Sequence, residues 1–118
     1  MINQDISENQ ANPIYLGIGS NLGDRRNKIE QAKHELLLRN IKLIKSSNFY
    51  ESLSWPDQSK PKYLNIVLEV ISDLKPLELL KVSKDIEISL GRKIRYKNAP
   101  RECDIDIIDY KGKIYKLD

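Results

Sequence analysis

The stretch richest in chemistry is Pro100-Arg101-Glu102-Cys103-Asp104-Ile105-Asp106-Ile107-Ile108-Asp109. Read as a strand, it places Asp104 and Asp106 on one face, about 6–7 Å apart along the chain, with Ile105 and Ile107 turned the other way into a core. Two carboxylates on one face repel unless solvent, a base or a divalent cation compensates them. Hard oxygen donors of this kind suit Mg²⁺, which keeps several of its waters and bridges phosphates; a two-metal clamp on a transferring phosphoryl group holds its ions about 3.5–4 Å apart. The same alternation also describes an exposed sheet face with no ligand, and the motif alone weighs the two readings evenly. Arg92, Arg95 and Arg101 stand close by in sequence. Guanidinium groups bind phosphate oxygens in bidentate fashion, whereas the same charges paired on a surface contribute little. Metal ligands on one side and phosphate clamps on the other are what a magnesium-bound triphosphate requires.

Other candidates are weaker. Glu102 shares the parity of the aspartate pair and reads better as a rim charge than as a third ligand; Asp109 has the opposite parity and is expected to face solvent near the strand end. Glu87 follows Ile86 on a helix, where it either faces the basic loop and a nucleotide or is an ordinary surface glutamate. His34 sits among polar neighbours and receives no role. Cys103 reads as a packed strand residue, not a nucleophile. The turn Gly19-Ser20-Asn21-Leu22-Gly23 lacks the lysine of a phosphate loop and so does not support a Walker-type site, although it could place Ser20 and Asn21 near a ligand. Residues 52–61 carry the only tryptophan, Trp55, flanked by Tyr50, Tyr63 and Asn65. Aromatic rings beside an amide that can pair with a heterocycle edge suit a flat polar ring; core packing for the tyrosines and an exposed loop for Trp55 are the competing reading.

These side chains need elements to hold them. Residues 14–18 form a short β-rich apolar run, and Asp24 is placed to cap a following helix. Ile29, Ala32 and Leu36 recur at helical spacing across 24–39. Residues 41–50 read as a strand ending in Phe49 and Tyr50, and 53–62, with Pro56 and Pro61, as a loop. Residues 63–71 are a β-branched strand able to form a hairpin with the one before it. Pro76 opens a second helix, marked by Leu79, Val82, Ile86 and Leu90 and stopped by Gly91. A basic loop over 92–100 leads to the last clear strand, 103–110, then a turn at 111–113 and a short piece at 114–117. The order β, α, β, β, α, β predicts an α+β fold, a ferredoxin-like βαββαβ sandwich with two helices on one face of an antiparallel sheet.

The chain has 118 residues, enough for one domain that folds alone, and its 40% hydrophobic and 31% charged content is that of an ordinary globular protein. Twenty Lys and Arg against 17 Asp and Glu give a net charge of +3, too weak to argue for nucleic acid but compatible with an anionic small ligand. A single cysteine excludes an internal disulfide and a cysteine zinc site, which suits a reducing compartment. Residues 1–12 are polar, unlike a signal peptide, and are expected to be a disordered tail; no apolar run approaches the length of a membrane helix. A cytoplasmic monomer with no nucleic acid and no membrane partner is expected.

Matched together, Gly19-Ser20-Asn21-Leu22-Gly23-Asp24, Ser47-Asn48-Phe49-Tyr50-Glu51-Ser52, Tyr63-Leu64-Asn65, Leu90-Gly91-Arg92 and, above all, Asn98-Ala99-Pro100-Arg101 running into Asp104-Ile105-Asp106 resemble the 6-hydroxymethyl-7,8-dihydropterin pyrophosphokinases of folate biosynthesis over residues 14–114. The resemblance implies a ferredoxin-like fold and a reaction in which the pterin hydroxymethyl oxygen attacks the β-phosphorus of ATP, giving the pterin diphosphate and AMP. It implies two Mg²⁺ ions on Asp104 and Asp106. It further implies ATP contacts at Glu87, Arg92, Arg101 and Ile107, with Arg92 and Arg101 stabilising the phosphates, and pterin contacts at Ser52, Leu53, Trp55, Tyr63 and Asn65. Loops 53–60 and 92–98 correspond to ones that close over substrate. Ile94 stands where some members have arginine, with Arg95 nearby as a substitute, and Asn98 where some have tryptophan. Members continue beyond the point matching Asp118 with a Pro-His segment and an Arg-x-Phe segment, so residues 13–118 are expected to be such a domain without that part. The alternatives are a catalytically impaired remnant that only binds nucleotide or pterin, and a ferredoxin-like RNA module, against which the Asp pair and the lack of sheet-face aromatics argue.

Overall fold

Alternation along Ile14–Ser20 (β1) divides the molecule into two sides: Ile14, Leu16 and Ile18 are almost fully buried, while Tyr15, Gly17 and Gly19 point the opposite way. A computed structural model of the chain describes residues 12–91 and 99–113. The expected tail over 1–12 lies almost wholly outside the described residues, as do the basic loop 92–98, with Arg92, Ile94, Arg95 and Asn98, and the short piece at 114–117.

After β1, Gly23 takes a positive φ of 77°, a conformation cheap only for glycine, and turns the chain into helix α1, Arg25–Leu38. Asp24 caps it, its Oδ1 accepting from the N–H of Asn27 at 3.1 Å. Ile29, Ala32 and Leu36 form the buried stripe that their spacing predicts. Helix α2, Pro76–Ser89, starts on its proline and buries Leu79 and Ile86, with Leu90 closing the cluster.

Strands β2 (Lys42–Ser46), β3 (Tyr50–Ser52), β4 (Tyr63–Ile71) and β5 (Asp104–Tyr110) complete one sheet in the order β2-β4-β1-β5, with β3 also on β4 and every pairing antiparallel. Both helices pack on the side of the even-numbered aliphatics of β1 and β4, forming a core that includes Ile66, Leu68, Cys103 and Ile105. This is the expected two-helix, antiparallel α+β sandwich. Full burial of each such aliphatic is worth about 1.5–3 kcal/mol, so this face supplies most of the cohesion. Among the described residues no helix is long and apolar enough to cross a membrane.

Two local expectations need correction. The strand expected over 41–50 is broken: β2 stops at Ser46 and β3 begins at Tyr50. At the break the Ser47 N–H donates to the Val67 carbonyl and the Ser47 Oγ accepts from the Val67 N–H, each at 2.9 Å, so a side chain takes over part of the ladder. In β5 the register shifts where Tyr15 pairs with Asp109 and Leu16 with Ile107. The extra residue, Ile108, is a bulge that reverses the parity beyond it. Asp109 therefore joins the face of Asp104 and Asp106, half-buried, with its Oδ1 accepting from the Gly112 N–H at 3.0 Å. Tyr110 swings into the core, its hydroxyl donating to the Leu74 carbonyl.

Candidate active site

The sheet face away from the helices carries a cleft of about 270 Å³ whose floor is β1 at Gly17 and Gly19. A Cβ at Gly19 would lie 2.9 Å from the Asn65 Oδ1 and 3.3 Å from the Tyr63 Cδ1; one at Gly17 would lie 3.2 Å from the Ile108 Cδ1. Side chains from β4 and β5 thus lean across β1, and only hydrogen at these two positions leaves room for them.

One wall belongs to β3 and β4, with Tyr50, Ser52, Tyr63 and Asn65; the other belongs to β5, with Asp104 and Asp106. Pairing sets this juxtaposition: Gly19 faces Asn65 on one side and Asp104 on the other, and Gly17 faces Asp106. The Asn65 amide is oriented by its neighbours, donating from Nδ2 to the Ser52 Oγ at 2.9 Å and to the Tyr50 carbonyl at 3.4 Å. The carboxylate pair, spaced by strand alternation, shares the open face, and the Arg101 guanidinium donates to the Asp104 Oδ1 at 3.3 Å.

The other site candidates fall elsewhere. Leu53 and Trp55 are 53% and 79% exposed on the loop after β3 and do not line the cleft. Glu87, 1% exposed, is not a surface glutamate: its Oε2 accepts from the Ile105 N–H at 2.7 Å, between the two aspartates and on the helix side of β5. Ile107 packs against the core. Cys103 is fully buried, as expected of a packing residue, and Glu102 lies before β5 beside Gly91. Tyr50 is half exposed in the cleft instead of in the core. Arg92 lies outside the described residues.

The loop over 53–62 is pinned at its ends. Ser54 and the Pro61 carbonyl are gathered by Asn21, while Arg25 donates to the Lys62 carbonyl at 3.0 Å and pairs with Glu51 at 2.9 Å. Within it, the hydroxyl and N–H of Ser59 donate to the Asp57 Oδ1 at 2.6 and 2.9 Å. These bonds hold the Asp57 carboxyl below its ordinary range.

Sequence reasoning missed the cleft floor and the clamp made by Asn21. The floor had a signal: glycines two apart in a strand leave one face bare at adjacent pairing positions. The clamp had none, because its partners, Ser54, Pro61 and Arg101, are far away in sequence.

The family model for 7,8-dihydro-6-hydroxymethylpterin-pyrophosphokinase matches residues 15–117. The chain is 43% identical over 103 residues to a 2-amino-4-hydroxy-6-hydroxymethyldihydropteridine pyrophosphokinase of Aquifex aeolicus, an alignment that takes in 87% of this chain and 64% of that protein. It is 38% identical over 98 residues to the protein of the same name from Porphyromonas gingivalis, covering 80% of this chain and 67% of the relative. With the folic acid synthesis protein FOL1 of Dictyostelium discoideum it shares 37% identity over 129 residues, which cover 100% of this chain and 18% of that protein. The chain thus spans under two thirds of the Aquifex protein and a small part of the Dictyostelium one.

Proposed function

Because this chain belongs to the 7,8-dihydro-6-hydroxymethylpterin-pyrophosphokinase family, we propose that it transfers pyrophosphate from ATP to 6-hydroxymethyl-7,8-dihydropterin, giving the pterin diphosphate and AMP in folate synthesis. The observation that carries this reading is that one cleft is lined both by an amide with two tyrosines and by a pair of carboxylates, with bare glycine backbone between them. A flat polar ring and a charged phosphate chain need those two walls, held close enough for one oxygen to reach one phosphorus.

In the reaction, the hydroxymethyl oxygen forms a bond to the β-phosphorus, the bond from that phosphorus to the bridging oxygen of the α-phosphate breaks, and AMP departs as the hydroxyl loses its proton. There is little covalent work for the protein, and its contribution is positioning and charge neutralisation. Asn65, oriented by Ser52, pairs with the edge of the ring, and Tyr63 and Tyr50 supply apolar contact beside it. Leu53 and Trp55, exposed without ligand, fold over the ring when it binds and exclude water. Arg101 exchanges part of its contact with Asp104 for phosphate oxygens, and Arg92 serves as a second clamp. Glu87 acts on the nucleotide side chiefly by fixing the backbone of β5, and Ile107 by packing behind it.

Asp104 and Asp106 would hold Mg²⁺. The donor set suits that ion: carboxylate oxygens on an open, solvated face, with no group of three or more His, Cys, Asp or Glu side chains among the described residues that would form an all-protein cage. Bound there with ATP, Mg²⁺ would neutralise charge on the transferring phosphates. The protein acts as a cytoplasmic monomer on these two small molecules, without nucleic acid or membrane partners.

The test is AMP formation with ATP, the pterin and Mg²⁺ in a coupled assay. The full chain is expected to turn over and Asp104→Ala to be inactive; turnover surviving that change would remove the metal assignment. Calorimetric binding of both ligands with no AMP from the unaltered chain would select a binding remnant over an enzyme.

A further inference from the structure

Asn21 is 3% exposed and lies just past β1, where it joins two segments that the proposed reaction assigns to different substrates. On one side it brackets Arg101 with two bonds: its Oδ1 accepts from the Arg101 N–H at 2.7 Å, and its own N–H donates to the Arg101 carbonyl at 3.0 Å. On the other side its Nδ2 donates to the Ser54 Oγ at 3.1 Å and to the Pro61 carbonyl at 3.2 Å. Ser54 in turn donates to the same Pro61 carbonyl, so the two ends of the loop that carries Trp55 meet on this one amide.

The orientation of the amide is not arbitrary. A backbone N–H must face its oxygen and a backbone carbonyl must face its nitrogen; flipping the group would set donor against donor and acceptor against acceptor. Aspartate would keep the Arg101 side and oppose the Pro61 carbonyl. Serine would be too short to span both. A buried amide whose oxygen is committed to one segment and whose two N–H donors are committed to another makes the positions of the two interdependent.

Resting on the pyrophosphokinase reading, we propose that Asn21 is a positioning residue that couples the Trp55 loop to Arg101, so that engagement of phosphates at Arg101 changes the disposition of the loop over the ring-binding wall. The coupling is reciprocal, as any linkage between two binding sites must be.

The single tryptophan makes the coupling observable. The unaltered chain is titrated with Mg²⁺ and α,β-methylene-ATP, an analogue that cannot transfer its pyrophosphate, while Trp55 emission is followed and binding is measured separately by calorimetry. A saturable change in Trp55 emission is expected that tracks nucleotide binding. In Asn21→Asp, nucleotide binding is expected to persist with loss of most of that change, and the Arg101 amide is expected to remain protected from hydrogen exchange. An Asn21→Asp response equal to that of the unaltered chain overturns the inference, as does nucleotide binding to the unaltered chain without any Trp55 response. Absence of nucleotide binding to the unaltered chain overturns the pyrophosphokinase reading and this inference with it. If thermal melting shows that Asn21→Asp does not fold, Ser54→Ala, which removes one loop-side partner and leaves Arg101 untouched, must show a diminished Trp55 response; an unchanged one overturns the inference.

Discussion

The two faces of one sheet are built from the same strands, yet their residues obey opposite rules. On the helix side, β1, β4 and β5 present Ile14, Leu16, Ile18, Ile66, Leu68 and Ile105, all buried against α1 and α2. On the open side the same strands present Gly17, Gly19, Tyr63, Asn65, Asp104 and Asp106. The first face excludes water and gains stability in proportion to its apolar area. The second places like charges side by side and leaves backbone bare, both of which cost stability unless a ligand uses them. Stability and chemistry are thereby separated by a single residue of strand alternation, and Glu87, reaching through from the helix side to the Ile105 N–H, is where the two meet.

That separation can be broken in order of expected effect. Leu16→Ala on the closed face should cost about 2–5 kcal/mol in chemical denaturation, while the molecules still folded retain ligand binding. Asp106→Ala on the open face should lower AMP formation by about 10²–10³-fold, on the order of 3–4 kcal/mol in the barrier, and, by relieving the repulsion, leave the unfolding midpoint unchanged or slightly raised. Glu87→Ala should do both, leaving the Ile105 N–H unpaired at a cost of about 1–3 kcal/mol and lowering activity through the displaced aspartates. Gly19→Ala should push Asn65 aside and raise the KM for pterin by about two- to tenfold, with nucleotide affinity unchanged; an unaffected KM would show that Asn65 does not hold the ring.

The smallest effect concerns the loop. The Asp57 carboxyl is lowered from its ordinary 3.8 by the Ser59 hydroxyl and N–H. A depressed folded value means that the turn is supported at pH values above the unfolded one and loses that support as pH falls through the lowered value. The Ser59 amide resonance should therefore titrate below the usual carboxylate range, and Asp57→Asn should abolish that titration.

Much of this was legible in the residues. Periodicity located both helices to within a residue or two, and alternation put Asp104 and Asp106 together and Ile105 behind them, because both follow from local geometry. The break at Ser47 and the bulge at Ile108 were not legible: each depends on which residue of a neighbouring strand lies opposite, and that is decided by pairing across the sheet. The burial of Glu87 was hidden for the same reason, since its partner is a backbone N–H 18 residues further on. Asp104 and Asp106 were visible as a candidate pair, but the tyrosine and asparagine wall facing them became part of the same cleft only once β4 was set antiparallel to β1.

On the proposed reading the open face, and not the helix side, receives the metal-bound phosphates. Adding substoichiometric Mn²⁺ with α,β-methylene-ATP to isotopically labelled protein tests it directly, because the paramagnetic ion broadens the amide resonances nearest to it. Selective loss of the Gly17, Gly19, Asp104 and Asp106 signals is expected, with those of α1 retained. Broadening centred on α1, or signals at β5 that persist at saturating nucleotide, would contradict it.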